Sequence, residues 1–230
     1  AHGFAKEDSD IDILLVISEE DYNKRFTVSN LTYYNPELCS YEGGYVDGKY
    51  ITLNFLRKVL NDGSEPARYA FEGASVIYSQ IEDLQELINE IAKYPVEKKN
   101  DNIKSFYAQF EAWKWYCFEA FKKGNQYLLN TSISKLLLFG GRLILAYNEI
   151  LYPYHKWFLK VLETVENKPS YFIKYFNEVL EQRNEKAVEQ FYNCILEFND
   201  WYTSDVRWPS QFMLDSEINW MTGNIPVDDI

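Results

Sequence analysis

Ser9-Asp10-Ile11-Asp12-Ile13-Leu14-Leu15-Val16-Ile17 is the stretch on which the reading of this chain turns. From Ile11 onward it is apolar except for one acid and rich in β-branched residues, which predicts a strand over 11–17. Side chains alternate across a strand, so Asp10 and Asp12 project to one side while Ile11 and Ile13 project to the other. Two carboxylates on one side repel each other, and a divalent cation between them relieves the repulsion. Hard oxygen ligands of this kind suit Mg²⁺. The plain alternative is a strand start whose two acids simply face water.

Ahead of the pair stand Ala1-His2-Gly3-Phe4-Ala5-Lys6-Glu7-Asp8. The A-x-G spacer (Ala1, Gly3), the Ser-Asp-Ile-Asp-Ile core and the apolar strand after it together resemble the active-site segment of the nucleotidyltransferase (DNA polymerase beta-like) superfamily. The likeness is to its small-molecule and antibiotic-modifying type, which carries a C-terminal helical domain. The Gly-Ser that opens the family's segment would stand just before Ala1, so the expectation is a chain trimmed at its N-terminal side. The resemblance implies transfer of a nucleoside monophosphate from a nucleoside triphosphate, ATP by expectation, to a hydroxyl of a small molecule, with release of pyrophosphate. It also implies two Mg²⁺ ions between Asp10, Asp12 and a third acid on a neighbouring strand. Ser9 would lie beside the nucleotide. Two alternatives stay open: a non-catalytic, regulatory or antitoxin-like member of the fold, and a protein adenylyltransferase.

The third acid is sought in the next strand region. Glu42-Gly43-Gly44 is a turn signal, and Tyr45-Val46-Asp47-Gly48-Lys49-Tyr50-Ile51-Thr52-Leu53-Asn54-Phe55 follows. Asp47 is the acid inside that stretch and so the candidate third metal ligand. Asp47-Gly48 is equally a hairpin dipeptide; in that case Asn54 takes the place where an acid is wanted. Further on, Ser64 with Pro66 marks a helix start. Arg68, in its first turns, either meets the triphosphate or pairs on the surface with Glu65 or Glu72.

The 230 residues carry a formal charge of −12. That balance disfavours a nucleic-acid surface, which needs basic residues to offset phosphate. It favours a cationic small acceptor, such as an aminoglycoside-like antibiotic. Cys39, Cys117 and Cys194 are widely spaced, which suits a reducing, cytoplasmic setting and offers no zinc spacing. No run of eighteen apolar residues predicts a membrane span.

Pro95 and the charged run Glu97-Lys98-Lys99-Asn100-Asp101 read as a linker. The expected fold is therefore α+β: a nucleotidyltransferase-type mixed sheet with helices over 1–95, then an all-α bundle over 96–230. Before the linker the pattern predicts strands at 11–17, 45–54 and 75–78, and helices at 19–26, 55–61, 66–71 and 81–93. After it, Asp101 is read as the cap of a long helix ending at Gly124. A second long helix is read from Thr131/Ser132 to Ile150, and others at 154–165, 169–181, 185–203 and 210–221. All six tryptophans lie in this half and line either an acceptor pocket or the bundle core. Lys135 and Lys156 are candidate triphosphate contacts. Glu149, Glu111 and Asp200 are candidate general bases for the acceptor hydroxyl.

Overall fold

The computed structural model describes residues 9–201 and 207–223. The chain divides into two compact units at Tyr94/Pro95.

In the first unit, β1 (Ile11–Ile17) leads through α1 (Glu19–Thr27) to β2 (Thr32–Asn35) and β3 (Val46–Thr52). The three strands form one mixed sheet in the order β1-β3-β2. β3 is parallel to β1, with Asp12 beside Asp47, and antiparallel to β2, with Tyr34 beside Asp47. Ser18 caps α1 by accepting from the Asp21 amide, and the guanidinium of Arg25 sits 3.7 Å over the Tyr50 ring. Thr52 ends β3 and at once caps α2 (Leu53–Asp62) through the Phe55 amide. Leu53 and Asn54 are therefore helical, which shortens the strand expected over 45–54.

α3 (Glu65–Tyr69) starts at Ser64 with Pro66 in its first turn. α4 (Leu84–Ile91) completes the unit. Leu56 and Val59 of α2 and Leu84, Ile88 and Ile91 of α4 bury together with Ile51 of the sheet. Each fully buried side chain of this size contributes about 1.5–3 kcal/mol.

The strand expected at 75–78 does not form: Ile77 is 93% exposed. The side chain of Gln85 on α4 takes up that segment's backbone instead, accepting from the Val76 amide (2.8 Å) and donating to the Ala74 carbonyl (3.1 Å).

In the second unit, a 3-10 turn (Val96–Lys98) runs straight into α5 (Lys99–Lys123). Asp101 thus lies in the first turn of α5 and not at its cap. α5 ends at Gly124 (φ +62°), and Asn125 directly caps α6 (Gln126–Tyr147). The second long helix so begins five residues before the expected Thr131. Thr131 and Ser132 lie inside it, with their hydroxyls turned back on the carbonyls of Tyr127 and Leu128. α6 has the length and mean hydropathy (1.3) of a membrane span. Its apolar residues Leu136, Leu143, Ile144 and Leu145 are fully buried in the unit, so packing accounts for that composition.

α7 (Phe158–Thr164) and α9 (Glu185–Leu196) approach α6 closely at Gly141 and Gly140. A Cβ at Gly140 would stand 2.6 Å from Ile195 and 2.8 Å from Phe191, and one at Gly141 would stand 2.3 Å from Phe158. α8 (Phe172–Gln182) and a short α10 (Trp208–Phe212) complete the helices; α10 continues as a π-helical turn over Met213–Glu217.

Candidate active site

Asp12 and Asp47 are neighbours across β1 and β3, so their side chains lie on one face of the sheet. Asp10 is two residues before Asp12 and shares that face. The Asp47-Gly48 turn is excluded: both residues lie within β3, and the Asp47 Oδ1 accepts from the Gly48 amide at 2.8 Å.

Farther along the same face, Val16 and Ile51 pack into the core with α2 and α4. Toward the start of β1, Asp12 remains exposed and Asp10 and Asp47 are half-buried. The acids therefore occupy the part of the face that reaches solvent.

Aromatic residues frame them. The Tyr45 hydroxyl donates to Asp10 Oδ2 at 3.1 Å. The Tyr45 ring lies against the Tyr34 ring, with centroids 5.3 Å apart. The hydrogen bond to Asp10, and then that carboxylate's charge, hold the Tyr45 phenol above its ordinary pKa; burial, Asp47 and Tyr34 add to the effect. The Tyr41 phenol is raised as well, by its hydrogen bond with Cys39, by burial, and by the charges of Cys39 and Asp10. Both hydroxyls thus remain donors at neutral pH.

The donor chemistry of Asp10, Asp12 and Asp47 fits Mg²⁺: all three are carboxylates on one face. Among the described residues, however, no three His, Cys, Asp or Glu side chains stand close enough together to hold an ion as they are. The carboxylates share a face without converging on a point.

Ser9 directly precedes the pair, and its carbonyl accepts from the Tyr41 hydroxyl at 2.6 Å. Ala1 and Gly3 lie outside the described residues.

Arg68 is placed differently from both expectations. It is 4% exposed, and its guanidinium donates to the carbonyls of Gly63 (3.3 Å), Ile91 (3.2 Å), Lys93 (3.5 Å) and, through a short contact, Leu60. Its donors are spent on the C-terminal ends of α2 and α4, where orphan carbonyls and the negative ends of the helix dipoles favour a cation. These contacts give Arg68 a structural role in the first unit.

Lys135 is exposed on α6, in the second unit. Lys156 stands in the turn before α7, not in a helix's first turn, with its ammonium 5.1 Å from the Trp157 ring centroid. Glu149 is paired with Lys99 at 2.7 Å. Both carboxylate oxygens of Glu111 accept from the Tyr192 hydroxyl, at 2.8 and 2.9 Å. Asp200 lines an open depression of about 570 Å³ with Tyr107, Glu197 and Trp201.

The tryptophans do not act as a group. Trp201 is buried, with its indole donating to the Ile195 carbonyl, whereas Trp115 and Trp220 are more than half exposed.

Sequence reasoning missed Tyr45 and Tyr41. The signal was present in the Tyr-Glu-Gly-Gly-Tyr run, which places two phenols on either side of a tight turn.

No described protein family and no curated protein matches the sequence. Among solved structures, the chain is similar to a nucleotidyltransferase-like protein from Exiguobacterium sibiricum 255-15. The identity is 12% and the TM-score 0.46, over 86% of this chain and 65% of the other. The chain thus spans 65% of the length of that protein's chain.

Proposed function

We propose that this chain is a metal-dependent nucleotidyltransferase that moves a nucleoside monophosphate from a triphosphate, ATP in the first instance, to a hydroxyl of a small molecule. The observation that supports it is the register of β1 on β3. That register sets Asp47 beside Asp12, two residues along the same face from Asp10, where the Ser-Asp-Ile-Asp segment calls for a third acid.

Asp10, Asp12 and Asp47 would hold Mg²⁺. Bound there, the metal would neutralise triphosphate charge and lower the barrier to phosphoryl transfer. The chain's own part is to keep three carboxylates on a rigid sheet at its solvent-open end. Ile13 on the opposite face lies against Gly48, and that close fit holds β1 to β3. Ser9, next to the pair, is a candidate nucleotide contact. Lys135 and Lys156 remain candidates on the helical unit. Glu111, which accepts from Tyr192, Glu149, which pairs with Lys99, and Asp200 stay equal candidates for the general base. The chain's −12 charge favours a cationic acceptor over nucleic acid.

The test is calorimetric titration of the chain with Mg²⁺–ATP, beside the Asp10→Asn/Asp12→Asn double variant checked for its fold by circular dichroism. Binding by the native chain that the double variant loses is the expected result. Equal binding by both overturns the assignment of the site.

A second reading is favoured by the lack of convergence among the described acids, with Asp10 already bonded by Tyr45. It is a non-catalytic protein of nucleotidyltransferase-like fold that works through protein contacts. No heat of binding with Mg²⁺–ATP from the native chain selects this second reading.

A further inference from the structure

Between Glu119 and Glu163 the chain has six lysines or arginines and a single acid, Glu149, although its formal charge is −12. Glu149 is itself paired with Lys99 at 2.7 Å. The cations of that stretch gather most closely around the start of α7, where His155, Lys156 and Lys160 all stand exposed.

The turn ahead of α7 is built around a buried phenol. Tyr152 is 4% exposed. Its ring packs edge-on against Phe158, with centroids 5.3 Å apart. The Arg142 guanidinium of α6 lies 4.4 Å from the Tyr152 ring and 4.1 Å from the Phe106 ring of α5. The ring is thus fixed, and its hydroxyl lies 3.1 Å from Nδ1 of His155. Pro153 is buried, and Tyr154 then takes φ +65°, a left-handed conformation that costs a bulky residue energy. This reversal leads the chain from the buried Tyr152 out to the exposed Tyr154, His155 and Lys156. The ammonium groups of Lys156 and Lys160 lie 5.1 and 5.0 Å from the Trp157 ring centroid, so one indole gathers both cations.

We propose that His155, Lys156 and Lys160 form a phosphate-binding site on the helical unit, that its ligand is the phosphate chain of a nucleotide, and that Tyr152 is its positioning residue. The proposal rests on the reading above for the identity of the ligand, and it needs no metal. A neutral imidazole has one N–H. The Tyr152 hydroxyl donates to Nδ1, which keeps that proton on Nε2, the nitrogen turned away from Tyr152. A phosphate chain offers acceptors only, so an N–H donor flanked by two point charges matches it. The Tyr154 ring, 59% exposed and 4.6 Å from the His155 ring, adds a face on which a base can stack.

The experiment is calorimetric titration of the full chain with sodium tripolyphosphate in EDTA at low ionic strength, followed by competition with ATP. The proteins are the native chain, His155→Ala, Lys156→Met/Lys160→Met and Tyr152→Phe, with thermal unfolding for each. Hydrogen bonds to charged groups set the expected loss: roughly tenfold or greater weakening in His155→Ala and in the double variant, at nearly unchanged melting temperature. ATP in EDTA is expected to displace tripolyphosphate. The chain has two histidines, so ¹⁵N resonances of the imidazoles at pH 8 report the tautomer of His155. The native chain should show Nε2–H, and Tyr152→Phe should show mixed tautomers with weaker binding.

No heat with tripolyphosphate from the native chain overturns the site, and so does equal binding by the native chain, His155→Ala and the double variant. Tripolyphosphate that ATP fails to displace overturns the nucleotide assignment. An Nδ1–H tautomer in the native chain overturns the role of Tyr152. A chain that binds Mg²⁺–ATP, loses it in Asp10→Asn/Asp12→Asn and takes up no tripolyphosphate keeps the reading above and overturns this site alone.

Discussion

Replacing Arg68 with methionine separates a structural cation from a phosphate ligand. Methionine keeps most of the apolar length of arginine and removes every donor. Four carbonyls lose their partner: those of Leu60 and Gly63 at the end of α2, and those of Ile91 and Lys93 at the end of α4. The two closest of these contacts, to Leu60 and Ile91, decide the magnitude. At about 1.5–3 kcal/mol for each charge-assisted bond, their loss comes to about 3–5 kcal/mol once relief of the buried charge is set against it. Arg68→Lys is expected to recover little, because one ammonium with three donors cannot span carbonyls that a planar fork reaches on both helices.

The assay is urea unfolding followed by far-ultraviolet circular dichroism. Tryptophan fluorescence alone would miss the event, since all six tryptophans lie at or beyond residue 113. Mg²⁺–ATP titration under folding conditions runs alongside. A stability loss below about 1 kcal/mol, within the range of an ordinary surface change, refutes the structural role. Full stability with weakened nucleotide binding would return the guanidinium to the triphosphate.

Two further outcomes follow from buried groups. Burial, with a smaller push from Glu72, raises the Tyr69 phenol from 10.0 to about 12, and burial with Glu111 raises Tyr192 further. The folded pKa lies above the unfolded one, so this stability is fully present below pH 10 and is lost as pH climbs toward 12. Absorbance of tyrosinate near 295 nm, followed against pH, should show these phenols ionising only together with unfolding, and Tyr69→Phe should reduce the alkaline loss; a reversible early ionisation of all nineteen tyrosines would contradict it. Burial also pushes the thiols of Cys117 and Cys194 up to about 12. A thiol reagent at pH 8 should therefore modify Cys39 first and reach Cys117, which is fully buried, only after denaturation; rapid native labelling located at Cys117 by peptide mapping would refute that packing.

What the sequence made legible was local. The Ile11–Ile17 strand, the Ser64 cap and the end of α5 at Gly124 each depend on a few neighbouring residues, and each lies where its residues predict. The misreadings were places where a distant partner decides. Ser75 to Tyr78 has strand-like residues but no strand to pair with, and Gln85, on a later helix, claims its backbone. Thr32–Asn35 is only four residues long, too short to announce itself, and becomes a strand because β3 offers an edge. Thr131 and Ser132 resemble a helix start because hydroxyls often cap. Inside α6 the same hydroxyls bond back four residues, and Asn125 does the capping. Arg68 carried no local sign of its fate, since its acceptors lie up to 25 residues away.

The carboxylate face shows the same division at the level of function. Alternation along β1 placed Asp10 and Asp12 on one side from sequence alone, but the sequence left Asp47 undecided between strand and turn. Register with β1 resolves it, because a residue inside a parallel ladder cannot also reverse the chain. The ladder also explains why the acids sit where they do. Val16 and Ile51 spend the far part of the same face on the hydrophobic core, and α2 and α4 cover it. A carboxylate there would lose its hydration with no partner in return. Only the part toward the start of β1 can hold three carboxylates in contact with water, and there the Tyr45 hydroxyl reaches Asp10. Lys49 is exposed on the same face beyond Asp47, and a cation from solvent would offset the remaining charge. Magnesium bound to a triphosphate would bring one, and it is the pairing that the calorimetric test puts to the chain.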